Sequence, residues 1–270
     1  MAVFTVLLPV VRPPALLPLA VRSVLGQDFK DFELFIVCDG APRETVECAN
    51  ALAEADRRIR VFPFEKGQRN GEAHRHAALE QASGQLVAQI ADDDLWFPNH
   101  LIEIGRLLQR YHFGNLPQPL ILADQNIRVV FGLLQDRVVR RRMLEQAWNI
   151  FGPSFAGYRM DAYRGLEVGW SPAPPELPSD LFMWRKFLAA PGVSCGTRIA
   201  VTGAHLASQE RTDRTLEDRA REMAELADRA SDNRFRDWFA QRVLIAITRE
   251  AAKTEAAMEA AHIGAELAAG

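Results

Sequence analysis

The chain is poor in cysteine. Cys38, Cys48 and Cys195 are odd in number, widely spaced and without any CxxC arrangement. This excludes a disulfide framework or a zinc ribbon and fits reduced thiols in a cytoplasmic protein. No run approaches the roughly 18 apolar residues of a membrane span, so any membrane association is expected to be peripheral. The apolar opening MAVFTVLLPVVRPP has no basic stretch before it and runs into Pro and Arg, so it reads as a first core strand rather than a signal peptide. Neither sign of charge dominates: 32 Lys and Arg against 35 Asp and Glu give a net charge of −3. That removes the electrostatic case for nucleic acid as a partner. Internal repeats are absent, and low complexity is confined to the Ala-rich end, 251–269.

What is present is an alternation of strand and helix signals over the first 125 residues. Val3–Val10, Glu33–Cys38, Arg58–Pro63, Leu86–Ala91 and Leu120–Asn126 read as strands. Ala15–Leu25, Arg43–Ala55, Gly71–Ala82 and Pro98–His112 read as helices between them. The continuous apolar runs suit a mostly parallel sheet covered by helices on both faces. Further on, Val129–Leu134 reads as a strand, Arg137–Trp148 as strand or helix, 153–160 as a loop entering a short strand, and Asp180–Ala189 as a helix. Residues 215–262 read as two or three helices. Their wide apolar side, from Leu216 to Ile247, suits either the main domain or a second subunit in a homo-oligomer.

Three consecutive aspartates, Asp92, Asp93 and Asp94, close the apolar run of LVAQIADDDLWFP (86–98). Ligands in such folds bind at the carboxyl ends of strands, where Asp39 and Pro9-Val10 also fall. Adjacent carboxylates repel one another unless a cation sits among them, and a hard divalent ion (Mn²⁺ or Mg²⁺) prefers oxygen ligands of this kind. On an extended backbone Asp92 and Asp94 would share one side and leave Asp93 to the other.

The order of motifs resembles glycosyltransferase family 2, with the nucleotide-diphospho-sugar transferase (GT-A) fold. LLPVVRPPALLPLAVRSVLGQDFKDFELFIVCDGA (7–41) is similar to its opening strand, helix and V-x-D-G strand end. GEAHRHAALEQASGQLVAQIADDDLWFPNHL (71–101) is similar to its glycine, its Arg-bearing helix and its D-x-D followed by Trp and Pro. The resemblance is dense over 3–101, thinner over 150–190 and absent beyond about 215. It implies a GT-A domain over 1–212, divided into a nucleotide-sugar half (1–125) and an acceptor half (126–212), with a helical extension over 213–270.

The resemblance further implies residue roles. Pro9, Val10, Asp39, Arg75 and Asp93 would bind the nucleotide, although His76 stands where the family has Asn. Asp92 and Asp94, with His205, would hold the metal and diphosphate. PELPSDLFMWRKFL (175–188) is similar to the segment carrying the catalytic base, which assigns that role to Asp180, with Glu176 second. A Ser179-Asp180 pair before an apolar run is equally an ordinary helix start. Arg69 and Arg211 are candidate phosphate contacts, and Gly157 and Trp184 candidate acceptor contacts. The implied activity is transfer of a sugar, from a UDP-sugar by preference, to a hydroxyl acceptor with inversion. A sugar nucleotidyltransferase should carry a Gly-rich loop after the first strand, and LLPVVRPPALLP has no glycine. A D-x-D phosphatase would place its aspartates after the first strand. A nucleotide-sugar-binding protein without turnover is the remaining alternative.

Overall fold

The computed structural model describes residues 2–269, with side chains described through Lys253. Most of the Ala-rich end therefore lies outside the described side chains. The first half runs β1 (Phe4–Val10), α1 (Leu17–Leu25), β2 (Phe32–Asp39), α2 (Arg43–Ala55), β3 (Ile59–Phe64), α3 (Glu72–Leu79), β4 (Leu86–Gln89), β5 (Asp94–Trp96) and α4 (His100–Leu108). The second half runs β6 (Phe113–Asn115), β7 (Leu120–Ile121), β8 (Ile127–Arg128), α5 (Arg137–Glu145), β9 (Ala156–Arg159), α6 (Met160–Arg164), α7 (Ser179–Ala189), β10 (Cys195–Thr197), β11 (Gly203–His205), α8 (Leu216–Ala230) and α9 (Asn233–Ala269).

Seven strands form the main sheet in the order β10-β6-β9-β4-β1-β2-β3. β1 pairs in parallel with β2 and β4, while β9 runs antiparallel to both β4 and β6. β1 is central and almost wholly buried, as its continuous apolar run requires. Its residues alternate between two cores. Phe4, Val6, Leu8 and Val10 pack in one with α1, α4 and the C-terminal helices, and Leu7 packs in the other with α3 and α7. Pro9 lies beyond the last β4 partner, where its missing N–H breaks no ladder bond on that side.

Four short strands make a second sheet, β5-β11-β7-β8. Here the structure departs from the sequence reading. The strand expected over Leu120–Asn126 shrinks to Leu120–Ile121 in the second sheet, and Phe113–Asn115 takes the main-sheet position. Val129–Leu134 is not a strand. It is an irregular segment pinned by Val129, Leu134 and the Leu134 N–H to Thr197 Oγ1 bond of 2.9 Å. Arg137–Glu145 resolves to a helix, capped by the Asp136 side chain accepting from Val138 N–H at 2.8 Å.

Helix α8 starts in a capping box between Thr215 and Asp218. Met223, Leu226, Phe239, Val243 and Ile247 join the same core as α1. The apolar side of the C-terminal helices thus covers the main domain, while Trp238, Leu244 and Ile245 stay exposed.

Gly157 is not in a loop, as expected, but in β9, between Ala88 and Gly114 of the neighbouring strands. A Cβ there would lie 2.6 Å from Ile104 Cγ2, so the glycine serves the approach of α4 to the sheet rather than that of an acceptor. Overpacking of this kind costs about 1–3 kcal/mol. Gly157→Ala is expected to lower the urea midpoint accordingly with an unchanged m-value. An unaltered midpoint would contradict the packing role.

Candidate active site

The carboxyl ends of β1, β2 and β4 converge on one rim of the main sheet. Asp39, the last residue of β2, is buried with its carboxylate held by Lys66 Nζ at 2.6 Å and by Gly67 N–H at 2.6 Å. Gly71, at φ +68°, starts α3 against this carboxylate. A Cβ there would sit 2.5 Å from Asp39 Cγ, which excludes larger residues. His74 stacks on Phe64 with ring centroids 4.4 Å apart and lies 3.5 Å from Asp39 Oδ1. His76 bonds Tyr163 OH at 2.8 Å. Both histidines of the departed H-R-H triplet therefore have local partners.

Between them, Arg75 is buried with its guanidinium 4.8 Å from the Trp170 ring and Nη2 donating to Asn70 O at 2.9 Å. Its Nε finds no acceptor among the described residues. Burial pulls its pKa down, opposed chiefly by Glu72 and then by Tyr158 and Asp180. Arg69 is exposed and ties its loop to the carbonyls of Pro174 and Leu177.

The acidic triplet does not follow strand alternation. Asp94 N–H bonds Ala91 O at 3.2 Å, making a turn at Asp92-Asp93 between β4 and β5. Asp92 and Asp93 thereby face one guanidinium. Arg12, from the β1–α1 loop, places Nε 3.2 Å from Asp92 Oδ2 and Nη1 3.0 Å from Asp93 Oδ2. Asp93 Oδ2 also accepts from Arg219 Nη2 of α8 at 2.9 Å and from Ser208 Oγ at 2.7 Å. Ser208 in turn accepts from Arg12 at 3.2 Å and Arg219 at 3.0 Å. The expected nucleotide contact Asp93 is thus the centre of an internal ion cluster. Burial pushes Asp93 up, but Arg12, Ser208, His205 and Arg219 outweigh it and hold its pKa low.

Asp94 turns the other way. Register pairs it with His205 across β5 and β11, and His205 Nδ1 lies 2.7 Å from Asp94 Oδ1. Burial lowers the His205 pKa, yet Asp94 and then Asp93 raise it overall. Asp92 is the least satisfied of the three. Its Oδ2 is buried without an aligned donor, and burial, with Asp93 and Asp94 adding to it against Arg12, pushes its pKa up to about 7. Among the described residues no three His, Cys, Asp or Glu side chains converge as a ready metal cage. The donor set still fits a hard cation that takes one or two carboxylates and completes its shell with phosphate oxygens and water.

Asp180, the second residue of α7, is a half-buried group that lines a cavity of about 380 Å³ with Asn149, Gly152, Leu120, Arg128 and His205. Its carboxylate accepts from Asn149 Nδ2 at 2.9 Å and Leu181 N–H at 2.8 Å. Burial raises its pKa against those two bonds and against Arg75. Glu176 is exposed on the preceding loop and does not line this cavity.

Two expected contacts lie elsewhere. Trp184 is fully buried against Phe113 and Phe151, with ring centroids 5.2 and 5.5 Å away, and is a core residue. Arg211 is buried and locked to Glu222 at 2.6 Å and Ile121 O at 3.0 Å, so it does not close over phosphates. Arg214 pairs with the same Glu222 at 2.8 Å. Arg12 and Arg219 were missed by sequence reasoning, because nothing local marks a pairing between residues 12, 93 and 219.

A mostly parallel sheet with an acidic turn at its carboxyl rim is the GT-A fold of nucleotide-diphospho-sugar transferases, and solved structures of that class superpose on it. Staphylococcus aureus TarS (residues 1–349, with UDP-GlcNAc) aligns at TM-score 0.60 and 16% identity, covering 77% of this chain and 59% of that one. The mannosyltransferase PcManGT of Pyrobaculum calidifontis, with GDP-Man and Mn²⁺, aligns at 0.54 and 16%, covering 92% and 86%. The model of Glycosyl transferase family 2 matches residues 5–166, and the chain belongs to that family. A Campylobacter jejuni GalNAc(5)-diNAcBac-PP-undecaprenol beta-1,3-glucosyltransferase is 31% identical over 90 residues, 33% of this chain and 29% of the relative. Escherichia coli WfgD, a UDP-Glc:alpha-D-GlcNAc-diphosphoundecaprenol beta-1,3-glucosyltransferase, is 31% identical over 100 residues, 36% and 38%. The matches thus span about a third of these curated relatives.

Removing one partner of a buried ion pair costs about 3–5 kcal/mol, because the other charge stays buried. Asp93→Ala strands the buried Arg219 and leaves Arg12 to Asp92 alone, and is expected to destabilise by about that amount in chemical denaturation. A loss under about 1 kcal/mol, the range of an exposed pair, would contradict the cluster.

Proposed function

We propose that this chain transfers a sugar from a nucleotide-diphosphate donor to a hydroxyl acceptor, with inversion at the anomeric carbon and Asp180 as the base. The observation that carries this reading is one cavity lined by Asp180, Asn149 and His205, with His205 bonded to Asp94 at 2.7 Å. A carboxylate and the histidine paired with the acidic turn thereby flank the same space, which supports a base and a diphosphate site side by side. Asp180 would take the acceptor hydroxyl's proton as that oxygen attacks the anomeric carbon in line with the departing diphosphate.

Pro9, Val10 and Asp39 would hold the base and ribose, with Asp39 accepting from a base N–H once Lys66 yields it. Asp94, His205 and Asp92 would hold the diphosphate through Mn²⁺ or Mg²⁺, which when bound offsets the charge of the leaving nucleotide. Arg12, paired with Asp92 and Asp93, would add a fixed positive charge beside the phosphates. A UDP donor is favoured by the UDP-Glc in the name of the E. coli relative and by the UDP-GlcNAc in the TarS complex. Both curated relatives are named for diphospho-undecaprenol-linked acceptors, which makes a saccharide hydroxyl on a lipid diphosphate the first acceptor class to try.

The test is transfer from UDP-sugars with Mn²⁺ present. Asp180→Asn is expected to lower kcat by at least about a hundredfold, the lower end of what general-base catalysis contributes, with donor binding retained. Asp94→Ala is expected to weaken metal-dependent donor binding. Full activity in Asp180→Asn would overturn the base assignment, and failure of any nucleotide sugar to bind would overturn the whole reading.

A pH profile gives an independent check. A base must be ionised, and burial raises the Asp180 pKa. Activity should therefore fall, as pH drops, at a higher pH than for an exposed aspartate. Asn149 donates to the ionised form, so Asn149→Ala should move that acid limb to still higher pH. A limb that stays in place would remove Asn149 from the mechanism.

A further inference from the structure

Among the described residues, four of the large apolar side chains that remain exposed belong to neighbouring segments between residues 130 and 199. They are Val130, Leu133, Val138 and Ile199, and Val138 is 62% exposed. Three hydrogen bonds bring these segments together. Leu134 N–H donates to Thr197 Oγ1, Gln135 Nε2 to Thr197 O at 2.8 Å, and Thr197 N–H to Gln135 Oε1 at 3.0 Å. The end of β10, two residues before Ile199, therefore lies against the 132–135 loop. Arg140 closes the patch from α5 by donating to Leu134 O at 2.6 Å and Gln135 O at 3.1 Å.

The helix that carries Val138 is strongly basic. Arg137, Arg140, Arg141 and Arg142 stand against Glu145 alone within α5. Arg137 and Arg141 are exposed, and the Arg141–Glu145 pair at 2.9 Å is itself open to solvent. Arg142 lies 4.1 Å over the Trp148 ring, which places a cation and an aromatic at the same edge. Asp136 is engaged as the helix cap, and the nearby Glu210 is taken by Arg128 at 3.2 Å. Exposed apolar side chains set among arginines, with few free acids, fit an interface whose headgroups are negative and whose interior is apolar.

The patch is fixed with respect to the cavity. Arg185 of α7 donates to Met143 O and Gln146 O, both at 2.8 Å, joining the end of α5 to the helix that carries Asp180. Arg128 and Val130, at the start of the irregular segment, line the cavity itself.

We propose that Val138, Leu133 and Ile199, with the arginines of α5, form a docking face for an anionic phospholipid surface, which presents the Asp180 cavity to acceptors held at that surface. The attraction to lipid stands on the patch alone; the orienting consequence rests on the acceptor reading above.

The test is co-sedimentation of the purified full chain with vesicles of phosphatidylglycerol and phosphatidylcholine, against vesicles of phosphatidylcholine only. Binding is expected to the anionic vesicles and to fall as salt rises, since the arginine contribution is screened. Each arginine near such a surface contributes about 1 kcal/mol, so Arg137→Glu with Arg141→Glu should weaken binding by about tenfold or more. Val138→Asp should weaken it as well, with unchanged melting and unchanged nucleotide-sugar binding in solution. Arg137→Gln with Arg141→Gln, a milder pair, should give an intermediate loss and covers any failure of the reversals to fold.

Equal binding by all variants, or equal binding to neutral vesicles, would overturn the proposal. So would a concentration-dependent dimer, seen by light scattering, that Val138→Asp abolishes, because a second copy would then cover the face. Loss of nucleotide-sugar binding by the wild type would instead refute the catalytic reading and leave vesicle binding to be judged by itself.

Discussion

The arrangement of the cleft depends on one carboxylate. Asp93 is met by two guanidiniums and a hydroxyl, and these four side chains come from four separate places in the chain: the β1–α1 loop, the acidic turn, the segment after β11, and α8. Asp93 and Arg219 are nearly out of water and Arg12 is partly so, so the buried charges are costly alone and tolerable only in company. The cluster thereby fixes the position of the turn and, with it, the directions taken by Asp92 and Asp94. It also attaches the C-terminal helices to the carboxyl rim of the main sheet. An apolar seam between α1 and α8 would hold the helices equally well, but it would not set the turn.

The rest of the rim follows a similar economy of charge. Asp39 is satisfied by Lys66, Asp94 by His205 and Glu222 by Arg211 and Arg214, while Asp92 Oδ2 has the charge of Arg12 beside it but no aligned hydrogen bond among the described residues. Binding a diphosphate among these groups would be an exchange of partners rather than an approach to bare charge. Lys66 would leave a carboxylate that a base N–H then takes, and Arg12 would be shared between aspartates and phosphate. Such exchange makes the net electrostatic gain small and the geometric selectivity large, since only a ligand offering both replacements recovers what is lost.

Much of the fold was legible because its central elements speak locally. β1, β2 and β4 are continuous apolar runs, and α2 and α7 begin and end where their periodicity does. β6 was not legible. Phe113-Gly114-Asn115 has poor strand character, and its glycine is there because a Cβ would meet Gly196 O at 2.1 Å. Val129–Leu134 carries strand residues but pairs with no strand among the described residues and is held by Thr197 instead. Within the candidate site, the aspartate triplet, Asp39, Asp180 and His205 stand in motifs that sequence order marks, whereas the turn that separates Asp92 and Asp93 from Asp94 is not marked. Arg12 and Arg219 were not, because their meaning lies in distances spanning some 200 residues. Trp184 and Arg211 misled for the opposite reason: an indole and a guanidinium are equally at home in a core, given a carbonyl or a carboxylate to satisfy them.

The antiparallel strand in the middle of the main sheet has a consequence for how the molecule comes into being. β3, β2, β1 and β4 are contiguous in both sequence and space, so this four-stranded parallel unit is complete once about the first 90 residues exist. Its open side is β4, whose partner β9 is synthesised only at 156–159, and β6 in turn awaits β10 at 195–197. During that interval the edge of Leu86–Gln89 displays unpaired backbone amides beside an apolar surface, the condition in which nascent sheets pair with the wrong neighbour. The acidic turn follows that edge directly. Arg12 already exists by then and Arg219 does not, so the three carboxylates keep a net negative charge beside that edge until α8 is made, and like charge of this kind discourages edge-to-edge pairing.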